Sequence, residues 1–184
     1  MGVPEDLLVA AKQCLAERGY AHTTVRDIIA VSGSNLAAIN YHFRSKDALL
    51  NRAMIEATDE AVQEVFKALP ESSHGEQSER LEAFWAALID SFREKRALWL
   101  ANVDTLAQAP HSPEVREQLA DGQARARAEL GRLLQQEGDE ASGVLLTLLI
   151  GMLVQWAVDP DHAPTAHDLS QGMRVIATAA TTGD

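Results

Sequence analysis

TTVRDIIAVSGSNLAAINYHFRSKDALL, residues 23–50, holds two short helical patterns parted by a glycine turn. Thr24-Val25-Arg26-Asp27 has capping-box spacing, with Asp27 in place of the usual Glu or Gln. It predicts a helix through Val31 with Val25, Ile28 and Ile29 turned inward. Ser32-Gly33-Ser34 is the turn. A second short helix runs from about Asn35 to Tyr41, and Ser45 then caps a long helix reaching about Leu69. Two short helices joined by a tight Gly-containing turn are the helix-turn-helix signature.

The helical period continues outward in both directions. Upstream, Leu7, Leu8, Ala11, Cys14 and Leu15 share one face of a first helix, which Gly19 ends. Cys14 lies on that apolar stripe and reads as core, not as a nucleophile. Downstream, Pro70 to Ser78 is a loop by composition. Leu81, Phe84, Trp85, Leu88 and Phe92 mark the next helix face. Leu98 to Ala107 forms another helix, stopped near Pro110. A longer one starts at Ser112 or Pro113 and ends at Gly138, with Val115, Leu119, Ala126, Leu130, Leu133 and Leu134 inside. Asp139 to Val158 is the most apolar helix. After the loop DPDHAP, Leu169, Met173, Ile176 and Ala180 mark the last. The reading is all-α, about nine helices in total and no strands.

Composition narrows the function. The 184 residues carry a net charge of -11, which excludes a uniformly basic nucleic-acid coat. The charge is uneven. Residues 1–50 balance Lys12, Arg18, Arg26, Arg44 and Lys46 against Glu5, Asp6, Glu17, Asp27 and Asp47. The rest of the chain carries the whole deficit. A neutral part can approach a polyanion, while an acidic part is repelled and points away. The single cysteine fits a reducing compartment. The start shows no basic region before an apolar core, so no signal peptide is read. The apolar run Val144 to Ala157 is shorter than the ~20 residues a membrane span needs. A cytoplasmic chain without membrane contact is expected.

No Gly-rich phosphate loop and no zinc-type Cys/His spacing occurs. Asp159, Asp161, His162, His167 and Asp168 form the nearest thing to a metal cluster, and they read as loop residues and caps. No catalytic residue, metal or cofactor is assigned, and the chain does not read as an enzyme.

The stretch INYHFRSKDALL, Ile39 to Leu50, resembles the hallmark ending of the recognition helix in the TetR family of transcriptional regulators. The resemblance covers about the first 50 residues. It implies a three-helix helix-turn-helix DNA-binding domain over 1–50 and a helical effector-binding and dimerisation domain over 51–184. The chain departs from the family in three places. Ser32-Gly33-Ser34 stands where Ala-Gly-Val is frequent, Ala37-Ala38 where Gly-Thr is, and Asn40 at the usual tyrosine. Operator sequence therefore does not carry over.

The residues support a groove-reading role. A recognition helix reads bases with its N-terminal and outward residues. Ile39 and Phe43 are expected inward, on Ile28, Ile29 and Leu15. Asn35, Leu36, Ala38, Asn40 and Tyr41 are then expected outward. Asn40 can bond an adenine edge, and Leu36 or an alanine methyl can touch a thymine methyl. Lys46 sits in the first turn of its helix, where the dipole disfavours a cation by about 0.3–1 kcal/mol. Free amides plus a lysine make a phosphate site, which offsets that cost. The resemblance also places a DNA-backbone contact at Lys46. Thr24 would offer a hydroxyl and amides to another phosphate. Few bases per copy favour a dimer on a near-palindromic operator, with half-sites ~34 Å or more apart.

Two features of the acidic part call for partners. Val144 to Trp156 is apolar all round, so it should be fully buried, in this chain or in a seam between subunits. Gly143, Thr147 and Gly151 form a small-residue stripe. The resemblance implies a four-helix dimer interface from roughly 139–158 and 165–180, with Leu169, Met173 and Ile176 on the second helix. Aromatic residues are concentrated in helices expected to face one another. Phe66, Trp85, Leu88, Phe92, Trp99, Val103, Met152 and Trp156 are the candidate effector-binding set, with Asn102, Asp104, Gln108 and Gln155 interleaved. By resemblance a small, largely apolar or aromatic effector releases a repressor from its operator. If Asp90, Asp104 or Glu94 faces the pocket, an aromatic cation would be a natural effector, through cation–π and charge pairing. The long helix from Ser45 is taken as the only element joining head to effector domain, and its tilt as the signal. The rival is a non-DNA-binding helical ligand-binding or protein-interaction module, which leaves Asn40, Tyr41 and Lys46 as a merely solvated face.

Overall fold

The computed structural model describes residues 2–69, 77–135 and 139–181. Among them are nine α-helices, one short 3-10 turn and no strand, as the all-α reading expects. In order these are α1 (Val3–Arg18), α2 (Val25–Ser32), α3 (Leu36–Phe43), α4 (Lys46–Ala68) and α5 (Gln77–Glu94). Then come α6 (Arg96–Gln108), α7 (Pro113–Leu134), α8 (Asp139–Val158) and α9 (Ala166–Thr181). Most of the loop expected over Pro70 to Ser78, and the helix stop expected at Gly138, lie outside the described residues. Gln77 and Ser78 are already helical.

Local chemistry sets the boundaries. Thr24 caps α2: its hydroxyl oxygen accepts from Asp27 N, while the Asp27 carboxylate accepts from Thr24 N. Gly33 then turns left-handed at φ 67°, which glycine tolerates without steric cost. The Asn35 side chain accepts from Ala38 N and starts α3. The Ser45 hydroxyl oxygen accepts from Ala48 N and starts α4. Thr165 and Asp168 repeat the capping box at α9. α3 runs two residues past the expected Tyr41, and Arg44 closes it at φ 67°.

Packing divides the chain into two compact units, Met1–Ala61 with Lys95–Gly122, and Val62–Glu94 with Gln123–Asp184. The first is built on Leu7, Leu15, Ile28, Ile39, Leu49, Leu50 and Met54, all essentially inaccessible, with Phe43 beside them. Burying one such side chain stabilises by ~1.5–3 kcal/mol. Ala101 of α6 and Val115 and Leu119 of α7 belong to the same core. This packing unit therefore reaches beyond the three N-terminal helices. Two helices, α4 and α7, contribute residues to both units, which corrects the expectation that α4 alone joins them.

The second unit buries Phe84, Trp85, Leu88, Phe92, Leu130, Leu133, Leu149, Met152, Leu153 and Trp156. Phe66 stacks on Phe84 at 5.4 Å between ring centres. α8 is long and apolar enough over Glu140–Val158 to cross a membrane by length and composition. The expectation that it is fully buried does not hold within one chain. Leu145, Leu149, Met152 and Trp156 are inside, while Val144, Val154 and Val158 are exposed. An apolar circumference does not say which side the same chain covers.

Candidate nucleic-acid interface and ligand cleft

α3 is two turns long and one-sided. Ile39 and Phe43 are buried, as their spacing requires. Leu36, Asn40 and Tyr41 are exposed, Tyr41 at 84%. Ala38, expected outward, is half-buried against the core, and Ala37 takes the outward place. The reason is register: at 100° per residue, 37, 40, 41 and 44 share a face, and 38 falls away from it. Asn35 spends its side-chain oxygen on the helix start, leaving its amide N–H₂ to donate.

The starts of α2 and α4 meet at Lys46. Its ammonium donates to the Thr23 carbonyl at 3.4 Å and lies 3.5 Å from the Asp47 carboxylate. Both helices carry first-turn amides with no intrahelical acceptor. Thr24, expected to offer its hydroxyl outward, donates it instead to Asp27 at 2.6 Å. Asp27 also pairs with Arg18 at 2.9 Å. The Thr24 hydroxyl and amide hold the Asp27 carboxyl below its ordinary range. The other bases of the head divide sharply. Lys12 is held by Glu60 at 2.7 Å and Glu56 at 3.1 Å. Burial works against its charge, yet those two carboxylates outweigh it and raise the ammonium's pKa. Arg26 and Arg44 are exposed. Cys14 is buried, and that burial pushes its thiol up, away from the reactive thiolate.

Sequence reasoning missed Thr23. It is buried, and its hydroxyl reaches the Gly19 carbonyl at 2.7 Å and that of Cys14 at 3.2 Å. A threonine just before an N-cap, with no solvent role to play, was the available signal.

In the second unit a cleft of about 170 Å³ opens between the end of α5, the end of α8 and the loop before α9. Phe92, Met152 and Trp156 of the candidate effector set line it, the two rings 5.5 Å apart. Ile89, Pro160, Ala163 and Pro164 add to the apolar wall. Asp90 and Arg93 stand at it, paired at 3.2 Å. Trp85 and Leu88 are buried in the same unit without lining the cleft, and Phe66 is half-buried on Phe84. Trp99 and Val103 belong to the first unit. Of the interleaved polar groups, Asn102 donates to Thr58 at 3.2 Å, and Asp104 and Gln155 are exposed. Asp159 pairs with His162, Asp168 caps α9, and His167 faces Glu82 at 3.5 Å. The loop prolines were legible only as a turn, not as a wall.

The small-residue stripe of α8 faces out. Thr147 is exposed, and Gly143 and Gly151 have open space where a Cβ would stand. With Val144, Val154 and Val158 they make a continuous uncovered face. On α9, Leu169 and Met173 are half-buried, while Ile176 and Val175 are exposed.

Comparison with known proteins agrees with this geometry. The profile of the bacterial regulatory proteins of the tetR family matches residues 7–53, which are α1 to the second turn of α4. That of the BetI-type transcriptional repressor C-terminal domain matches residues 77–180. The HTH-type transcriptional regulator BetI of Escherichia coli is 26% identical over 176 residues, 90% of this chain and 89% of the relative. BetI of Shigella flexneri matches to the same extent. A TetR transcription regulator from Haloarcula marismortui shares the fold at a TM-score of 0.66 and 19% identity, over 98% of this chain and 97% of that one. The multidrug binding protein EbrR, solved with imidazole, does so at 0.69 and 19%, over 97% and 94%. With the second profile alone spanning more than half its length, the chain belongs to the TetR family and is a transcriptional regulator with an N-terminal helix-turn-helix head.

Proposed function

We propose that this regulator is a repressor that grips a near-palindromic operator as a homodimer and lets go when a small effector enters the α5–α8 cleft. Residues 1–50 read the DNA, and residues 51–184 bind the effector and the second copy. The carrying observation is the exposed Leu36–Ala37–Asn40–Tyr41 face of α3, set beside two helix starts that share Lys46. Asn40 and Leu36 supply base-edge contacts, and Lys46, Asn35 and the amides after Thr24 supply phosphate contacts. Ala38 supports α3 from behind.

The uncovered α8 and α9 faces support the homodimer. Val144, Thr147, Gly151, Val154 and Val158 follow 3-4 spacing, the spacing of a helix seam. Gly143, Leu169, Met173 and Ile176 extend that surface. An effector cleft of about 170 Å³ is below the ~300–1,000 Å³ of drug-sized sites, so the ligand is compact. Phe92, Met152 and Trp156 favour an aromatic or apolar body. Asp90 and Arg93 both line the cleft, so a cationic end would take Asp90 from its pairing with Arg93. Tilting of α4, the helix that carries Lys46, transmits effector binding to the head. A reader of duplex DNA works where the chromosome lies, in the cytoplasm.

The test is an electrophoretic shift at two salt concentrations on the DNA flanking the gene. The wild-type chain should retard a specific fragment and lose affinity with salt. Lys46→Ala should weaken binding on every sequence, whereas Asn40→Ala should change the preferred sequence. Unaltered binding by both variants would remove this head from the DNA.

A further inference from the structure

We propose that Thr23 is the positioning residue of the Lys46 clamp, its hydroxyl fastening the end of α1 while its carbonyl holds the Lys46 ammonium. The inference rests on the reading in which Lys46 meets the DNA backbone.

A lysine at the first position of a helix is repelled by the helix dipole and is free to swing into solvent. Here it is held. The side chain is only 33% exposed, and Nζ lies 3.4 Å from the Thr23 carbonyl and 3.5 Å from the Asp47 carboxylate. Asp47, on the same helix and exposed, draws the cation toward α4. Thr23 draws it across to the start of α2, where Val25 and Arg26 carry amides with no intrahelical acceptor. The ammonium thereby stands where a phosphate can meet both helix starts.

The Thr23 carbonyl is itself fixed from the other side. Its residue is 1% exposed, and its hydroxyl satisfies the Gly19 carbonyl at 2.7 Å, with that of Cys14 at 3.2 Å. These are acceptors at the C-terminal end of α1. One residue later Thr24 caps α2. Thr23 therefore joins three helices: α1 through its side chain, α2 through the chain, and α4 through Lys46. A cation held in place before binding loses less freedom on reaching the phosphate.

The experiment uses the full chain and a duplex that the wild type selects from a random-sequence pool, with Kd measured from 50 to 200 mM KCl. Lys46→Ala should lower affinity and reduce the salt slope by about 0.9 per subunit, the value of one phosphate contact. Thr23→Val should reproduce part of that loss, with a shallower slope, and Thr23→Ser should restore both. In the Lys46→Ala background, Thr23→Val should add nothing to the loss of binding. Equal losses in both backgrounds with the slope unchanged would make Thr23 a merely structural residue and overturn the proposal. An unaltered Kd for Lys46→Ala would instead overturn the clamp itself, and the role of Thr23 with it. Because Thr23→Val leaves a buried carbonyl without its donor, a second measurement uses the wild type alone. The Lys46 ammonium protons should exchange with water more slowly than those of exposed Lys67 in NMR spectra of the free chain. Equal exchange would show that no carbonyl holds the ammonium.

Discussion

The Tyr20 hydroxyl donates to Asn51 Oδ1 across 2.7 Å, tying the turn after α1 to the second turn of α4. Asn51 is buried, so its oxygen has little recourse to water. Burial and then the nearby Asp47 push the Tyr20 phenol up, against a smaller opposing hydrogen bond with Gln108. The group therefore remains a neutral donor at neutral pH. Tyr20→Phe should destabilise by about 1–2 kcal/mol, because it strands a buried acceptor. Adding Asn51→Leu should recover part of the loss. Urea denaturation checks both, and a loss unchanged by the second substitution would contradict the assignment.

Ala37 and Ala38 should respond oppositely to enlargement. Ala38→Leu forces a larger side chain against Ile39 and its neighbours and should cost about 1–3 kcal/mol. Ala37→Leu should leave Tm nearly unchanged but weaken binding to DNA. Thermal melts paired with binding curves separate the two effects. The same pattern would fail to appear if α3 were turned by one residue.

Arg44 closes α3 at φ 67°, where side chains other than glycine are strained by ~1–2 kcal/mol. Arg44→Gly should relieve that strain, offset in part by greater freedom of the unfolded chain, for a net gain of about 0.5–1 kcal/mol. It should also remove an exposed cation beside the recognition face and lower DNA affinity several-fold at low salt. A variant both less stable and equally tight on DNA would contradict both halves.

Asp27 and Asp168 each accept from a threonine hydroxyl and its amide, and both carboxyls lie below their ordinary value of 3.8. Their folded pKa values are thus lower than the unfolded ones. The stabilisation they supply is complete above 3.8 and fades as pH falls through the folded values. Asp27→Asn with Asp168→Asn should flatten the acid limb of stability below pH 3.8, seen in melts across that range. An acid limb as steep as the wild type's would show that other carboxylates set it.

The cleft should prefer a cationic aromatic probe. Phenethylammonium should bind more tightly than phenethyl alcohol by calorimetry, and Asp90→Asn should erase most of the difference. Trp156→Ala should weaken both. Equal affinities for the two probes in the wild type would leave the cleft apolar in character only.

The helical periods were legible in residues whose partners lie nearby. Leu7, Cys14 and Leu15 are all buried as their spacing requires, and Thr24 with Asp27 forms the capping box read from four letters. What escaped depended on register or depth. Ala37 and Ala38 are the same residue type one step apart, about 100° round the helix, and the packing of α3 on its core decides which faces out. Trp85 and Trp156 both sit on apolar helix faces, yet one is sealed and the other walls a cleft, because a period gives direction and not depth. The exposed valines of α8 look like core by composition, since a sequence does not say whether its own chain or another covers a face.

In the proposed function α3 reads duplex DNA in a paired molecule. Selecting duplexes from a random pool with the wild-type chain, followed by sequencing, tests it most directly. The expected result is enrichment of a near-palindromic motif, two half-sites separated by about one helical turn or more, that Asn40→Ala alters. A pool that emerges without any enriched motif would contradict it.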